Sequence, residues 1–117
     1  MSKRLLASGA AAAAALSICL LVASDASAST PILWAAGGDE TVDFLGSGFT
    51  PNGIVILEVR LNGTALCTWD VIASSDGVVG KEESTASCAC GGEFETWAAD
   101  FSTSQSVYGT NVTIGCI

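Results

Sequence analysis

The sequence predicts an all-β chain folded as an antiparallel β-sandwich of about seven strands, and three observations carry that prediction. Beyond residue 28 no stretch shows a helical period, while short segments of alternating apolar and polar residues recur between turn-forming clusters. One cluster, Gly46-Ser47-Gly48-Phe49-Thr50-Pro51-Asn52-Gly53, opens directly onto the apolar run Ile54-Val55-Ile56-Leu57-Glu58-Val59-Arg60-Leu61. Such a join of turn residues and β-formers is expected where a strand begins. Finally, Cys67, Cys88, Cys90 and Cys116 form an even set in a chain too small to rely on its core alone.

The small size follows from the first residues. Lys3-Arg4 precede an alanine-rich apolar segment over residues 5–23, and Ala26-Ser27-Ala28 places small residues at the two positions a signal peptidase reads. This is the pattern of a secretory signal peptide, residues 1–28, with cleavage expected after Ala28. A membrane anchor fits less well, because the small-residue site follows directly and no basic stop-transfer cluster does. The mature chain is then one domain, residues 29–117. Removal of the signal takes Lys3 and Arg4 from the four basic residues and Asp25 from the twelve acidic ones, which leaves two basic against eleven acidic, a net charge of -9. That surface repels phosphate, so neither nucleic acid nor insertion into a membrane after cleavage is expected.

Pro31 precedes Ile32-Leu33-Trp34, a short first strand whose proline sits where it removes no ladder bond. Gly37-Gly38-Asp39-Glu40 reads as a turn, and residues 41–45 as a half-buried strand with Val42 and Phe44 on one side. In the following cluster Pro51 presets a turn, Gly53 occupies a position suited to positive φ, and Phe49 and Ile54 are expected on neighbouring strands. Along 54–61 the odd positions Val55, Leu57, Val59 and Leu61 are uniformly apolar and define the core face.

Asn62-Gly63 signals a hairpin. A strict two-residue loop carried through the whole strand would turn Leu66, Thr68 and Asp70 inward and bury a carboxylate. A three-residue loop or a bulge instead pairs Leu61 with Ala65, Val59 with Cys67, Leu57 with Trp69 and Val55 with Val71, and this register is expected because an unpaired buried charge costs several times what a less favoured turn does. Ala73-Ser74-Ser75-Asp76-Gly77 forms the next turn. Lys81-Glu82-Glu83 marks a short, exposed or edge strand, and residues 84–92 a small-residue loop. Residues 94–101 alternate with Trp97, Ala99 and Phe101 on the apolar side; 102–106 form a polar loop; 111–117 close the domain with Val112, Ile114 and Cys116 on one face.

The elements Gly46-x-Gly48-Phe49-Thr50-Pro51-x-Gly53-x-Val55 resemble the strand-turn-strand signature of secreted bacterial immunoglobulin-like β-sandwich modules, over roughly residues 41–80. A looser similarity runs to the neocarzinostatin-type apoproteins, small disulfide-bonded sandwiches that carry a chromophore. Lys81-Glu82-Glu83 departs from the module pattern, where an apolar strand would continue. The resemblance implies an immunoglobulin-like antiparallel sandwich at the cell surface or outside the cell.

If the last two strands are antiparallel neighbours, Cys116 lies near Cys90 or Cys88. Of the three connectivities, Cys67 with Cys88 and Cys90 with Cys116 is expected. A zinc site does not fit, because paired C-x-x-C knuckles and histidines are both missing. Without histidine the commonest general base is also missing, so no catalytic residue and no enzyme activity are expected. No calcium-loop motif occurs, and no metal or cofactor is expected. Trp34, Trp69 and Trp97 are read as core residues. Tyr108, beside Gly109, and Gln105 in the polar loop are the candidate ligand-binding residues. The expected function is a secreted or surface-bound module with a structural, adhesion or protein-binding role, its partner an extracellular protein or polysaccharide. The alternative is a carrier of a small ligand or chromophore.

Overall fold

The computed structural model describes residues 30–117; the expected signal peptide and its cleavage site lie outside the described residues. The described chain is all-β, without helices, and consists of eight strands: β1 (Ile32–Gly37), β2 (Thr41–Ser47), β3 (Ile54–Leu61), β4 (Thr64–Ile72), β5 (Val79–Ser84), β6 (Gly92–Asp100), β7 (Ser106–Tyr108) and β8 (Val112–Ile114). They form two antiparallel sheets. One has three strands in the order β1-β2-β5; the other has five, in the order β4-β3-β6-β7 with β8 also on β6.

The eighth strand arises because β7 and β8 share one edge of β6. Tyr108 faces Trp97 and Val112 faces Phe94, a register that slips by one residue between them. Gly109 N still donates to Thr96 O at 2.9 Å in the β7 register, so the slip falls just beyond it; a side chain at Gly109 would run into Thr96 and Leu33. The polar loop is correspondingly shorter than expected, since Ser106 already pairs with Ala99.

Alternation along each strand builds the core. Leu33, Val42 and Phe44 come from the three-stranded sheet, Val55, Leu57, Val59, Phe94, Ala98 and Ile114 from the five-stranded one, and all are buried. The odd face of β3 is the core face as far as Val59; Leu61, at the turn, is exposed. The glycine-rich cluster carries the chain from one sheet to the other. Phe49 plugs the core there rather than joining a strand, and the Thr50-Pro51-Asn52-Gly53 turn closes with Gly53 N donating to Thr50 O at 3.0 Å. Positive φ falls on Asn52, at 60°, and not on Gly53 as expected. Proline presets the first central position, and asparagine is one of the few residues that tolerate the left-handed conformation found at the second.

The β3–β4 hairpin combines a tight turn with a bulge. Leu61 pairs with Thr64 and Arg60 with Ala65, the register then shifts, and Val59 meets Cys67, Leu57 meets Trp69 and Val55 meets Val71. The expected Leu61–Ala65 pair is therefore wrong, while the other three hold, because Leu66 is the extra residue that absorbs the shift. Asp70 stays exposed and Trp69 turns inward, edge-on to Phe44 at 5.9 Å.

On β6 the expected core face is overturned. Phe94, Thr96, Ala98 and Asp100 point inward, whereas Trp97 and Ala99 lie on the outer face and Phe101, beyond the strand, is exposed. The pairing with β3 decides this: Val59, Leu57 and Val55 stand opposite Thr96, Ala98 and Asp100. Small inward residues on β6 leave room for the large ones on β3. Trp34 is likewise not core but half exposed on the outer face of β1.

β5 is an exposed edge strand, as its charges predict. The two disulfides are Cys67–Cys88 and Cys90–Cys116. β6 and β8 are antiparallel neighbours, but β8 stops at Ile114, so Cys116 lies past the strand and is exposed rather than sharing the buried face of Val112 and Ile114.

Candidate functional site

Three places on the described surface could carry chemistry or binding. The first contains Tyr108. β3, β6 and β7 place Glu58, Trp97 and Tyr108 side by side on the outer face of the five-stranded sheet, since Glu58 pairs with Trp97 and Trp97 with Tyr108. Arg60, two residues along β3, folds back over this row. Its guanidinium carbon stands 3.9 Å from the centre of the Trp97 ring, its Nε donates to Glu58 Oε1 at 2.7 Å, and its Nη1 donates to the Tyr108 hydroxyl at 2.9 Å. Partial burial lowers the guanidinium pKa, but the hydrogen bonds to Glu58 and Tyr108 and the Glu58 charge outweigh it and hold the pKa above the ordinary arginine range. This cation is committed to partners within the chain. Tyr108 is 54% exposed at the sheet margin, with its hydroxyl engaged.

Gln105 is not brought to Tyr108. It stands exposed before β7, with its backbone carbonyl accepting from Asp100 N at 2.8 Å. The Arg60 stack escaped the sequence reading because Glu58 and Arg60 read as a solvated face. Only the β3–β6 register shows that an aromatic ring lies beneath them.

The second place is an open depression of about 360 Å³ beside the Cys67–Cys88 bridge, lined by Leu66, Cys88, Ala89, Cys90 and Phe94 among others. Its walls are mostly small side chains of the loop between β5 and β6.

The third is the outer face of the three-stranded sheet. Cross-strand pairing sets Trp34 beside Leu45 and Leu45 beside Gly80, and one row further Ala36 beside Asp43 and Asp43 beside Glu82. Ile32, Trp34 and Leu45 are 48%, 49% and 54% exposed. Gly80 adds to the openness, because a side chain there would meet nothing within 4 Å. Its place beside Leu45 leaves that flank of the leucine uncovered.

Asp100, buried at 1% exposure, is a structural carboxylate. It accepts from Thr50 N at 2.7 Å, Thr50 Oγ1 at 2.9 Å and Ser102 N at 3.0 Å, which ties the glycine-rich crossing to the end of β6. Among the described residues no group of three or more acidic or cysteine side chains is arranged to hold a metal ion. Comparison with protein-family models and with curated proteins finds no match to this chain.

Proposed function

We propose that the protein is exported and works as a non-enzymatic, immunoglobulin-like binding module that engages an extracellular protein or polysaccharide through an exposed sheet face. One observation carries this reading: Ile32, Trp34 and Leu45 stand about half exposed together on the three-stranded sheet. Large apolar side chains grouped on an open face are a feature of interaction surfaces, and tryptophan is the residue most enriched where binding energy concentrates. The two intramolecular disulfides are compatible with an oxidising, extracellular setting.

A carrier of a small ligand is the second reading. The depression beside the Cys67–Cys88 bridge favours it, as its size lies within the range of ligand sites, although such sites are usually more enclosed and more aromatic. Immobilised exported protein exposed to the secreted fraction of its own cells separates the two. A binding module retains a protein or polysaccharide. A carrier retains neither, and its tryptophan fluorescence changes with small-molecule extracts.

A further inference from the structure

The two sheets present related sets of side chains on their outer faces. On the five-stranded sheet a tryptophan, Trp97, and a carboxylate, Glu58, hold a guanidinium between them. On the three-stranded sheet Trp34 and Leu45 are followed in the next row by the carboxylates of Asp43 and Glu82, and alternation along β1, β2 and β5 places no cation on that face. Lys81 belongs to the other side of β5, opposite the inward-facing Phe44.

Asp43 and Glu82 are direct cross-strand partners, and like charges so placed weaken a sheet. A cation supplied from outside would relieve that repulsion, and Trp34 lies diagonally across from Asp43, within reach of the same charge. A second copy of the chain is a poor occupant, because each mature chain carries -9. Anionic polymers are disfavoured for the same reason.

We propose that the outer face of the three-stranded sheet docks a cationic, apolar segment of a partner protein, with an Arg or Lys against Trp34 and beside Asp43 and Glu82, and an apolar residue on Leu45. This rests on the reading of the protein as a binding module and names the face and the partner's chemistry. The partner's charge takes the place that Arg60 fills on the other sheet.

The test is a titration of isotope-labelled exported protein with a peptide of about ten residues alternating Lys and Val, long enough to cross a three-stranded face, followed by amide chemical shifts. A peptide alternating Glu and Val is the control. The proposal expects saturable shifts at residues 32–36, 43–45 and 80–82 with the Lys peptide only, weakened by added salt. Trp34→Ser or, independently, Leu45→Ser weakens binding about tenfold, as truncation of a central anchor does. Asp43→Asn with Glu82→Gln weakens it about three- to tenfold by removing the charge complementarity. Tyr108→Ser leaves it unchanged. All these side chains are exposed, and unchanged shifts at buried Val55 and Leu57 verify the fold.

Failure of the peptide to bind at millimolar concentration, equal binding of the Glu peptide, shifts mapping elsewhere, or indifference to Trp34→Ser and Leu45→Ser overturns the proposal. So does self-association through this face in sedimentation. If the peptide test fails while immobilised protein still retains a macromolecule, only this assignment falls; if nothing is retained either, the binding-module reading falls with it.

Discussion

Asp100 and Asp70 are carboxylates on the two strands that flank β3 on opposite sides, and their neighbours decide their opposite fates. Asp70 stays exposed on β4, whereas Asp100 is buried with three donated hydrogen bonds that compensate its lost hydration. Asp100→Ala leaves those donors unpaired inside the protein and is expected to cost about 2–4 kcal/mol, while Asp70→Asn shifts stability by less than about 0.5 kcal/mol. Urea unfolding of both variants measures the contrast; equal effects would refute the role given to Asp100. Thr85 presents the reverse case, a buried hydroxyl with no hydrogen-bond partner. Thr85→Val removes the unsatisfied group at similar volume and is expected to raise the melting temperature, by an amount equivalent to about 1 kcal/mol. Asp70 was legible in the sequence because burying an unpaired carboxylate costs more than the bulge that keeps it outside. Asp100 was not, since its partner Thr50 lies 50 residues away and comes near only once β6 has paired with β3.

Among the elements, the β3–β4 hairpin and the crossing from β2 to β3 rest on backbone conformations few residues adopt. Asn62 and Gly63 have φ of 52° and 80°, the mirror-image turn that suits the right-handed twist of its strands. A side chain on Gly63 would touch nothing within 4 Å, so Gly63→Ala isolates the conformational penalty, about 1 kcal/mol. Gly77 shares a positive φ, 76°, but a side chain there runs into the Phe49 carbonyl oxygen. Gly77→Ala is expected to cost about 3 kcal/mol or more, since strain and a backbone displacement add. Thermal unfolding of the pair checks the order, and a Gly63→Ala loss as large as that of Gly77→Ala would contradict it. The hairpin's bulge could be read from charge alone, because only a shift keeps Asp70 out and Cys67 in. The face of β6 could not: Trp97-Ala98-Ala99 is apolar throughout, so periodicity does not choose a side. Only partners across the sheet do, and they put Trp97 under Arg60.

On the scale of the whole molecule, two sheets enclose a small core that the disulfides reinforce at one end. The bridges span sequence separations of 21 and 26 residues, each worth about 3 kcal/mol by restricting the unfolded chain. Replacing Cys67 and Cys88 together by Ala should lower stability by about that amount, read as a shift of the urea midpoint, and leave the Cys90–Cys116 bridge intact in peptide maps. Strand adjacency narrows the partner of Cys116 to Cys90 or Cys88 from sequence, and the structure joins it to Cys90, as expected. The exposed apolar face proposed for binding was hidden there, because Trp34 reads as a core residue until its pairing with Leu45 places both on the outside. Trp34→Ser and Tyr108→Ser distinguish the two outer faces when each variant is immobilised and its retention of a macromolecule is compared with that of the unaltered protein. Trp34→Ser is expected to weaken retention about tenfold and Tyr108→Ser to keep it. Loss with Tyr108→Ser and full retention with Trp34→Ser would exclude the three-stranded face as the binding surface.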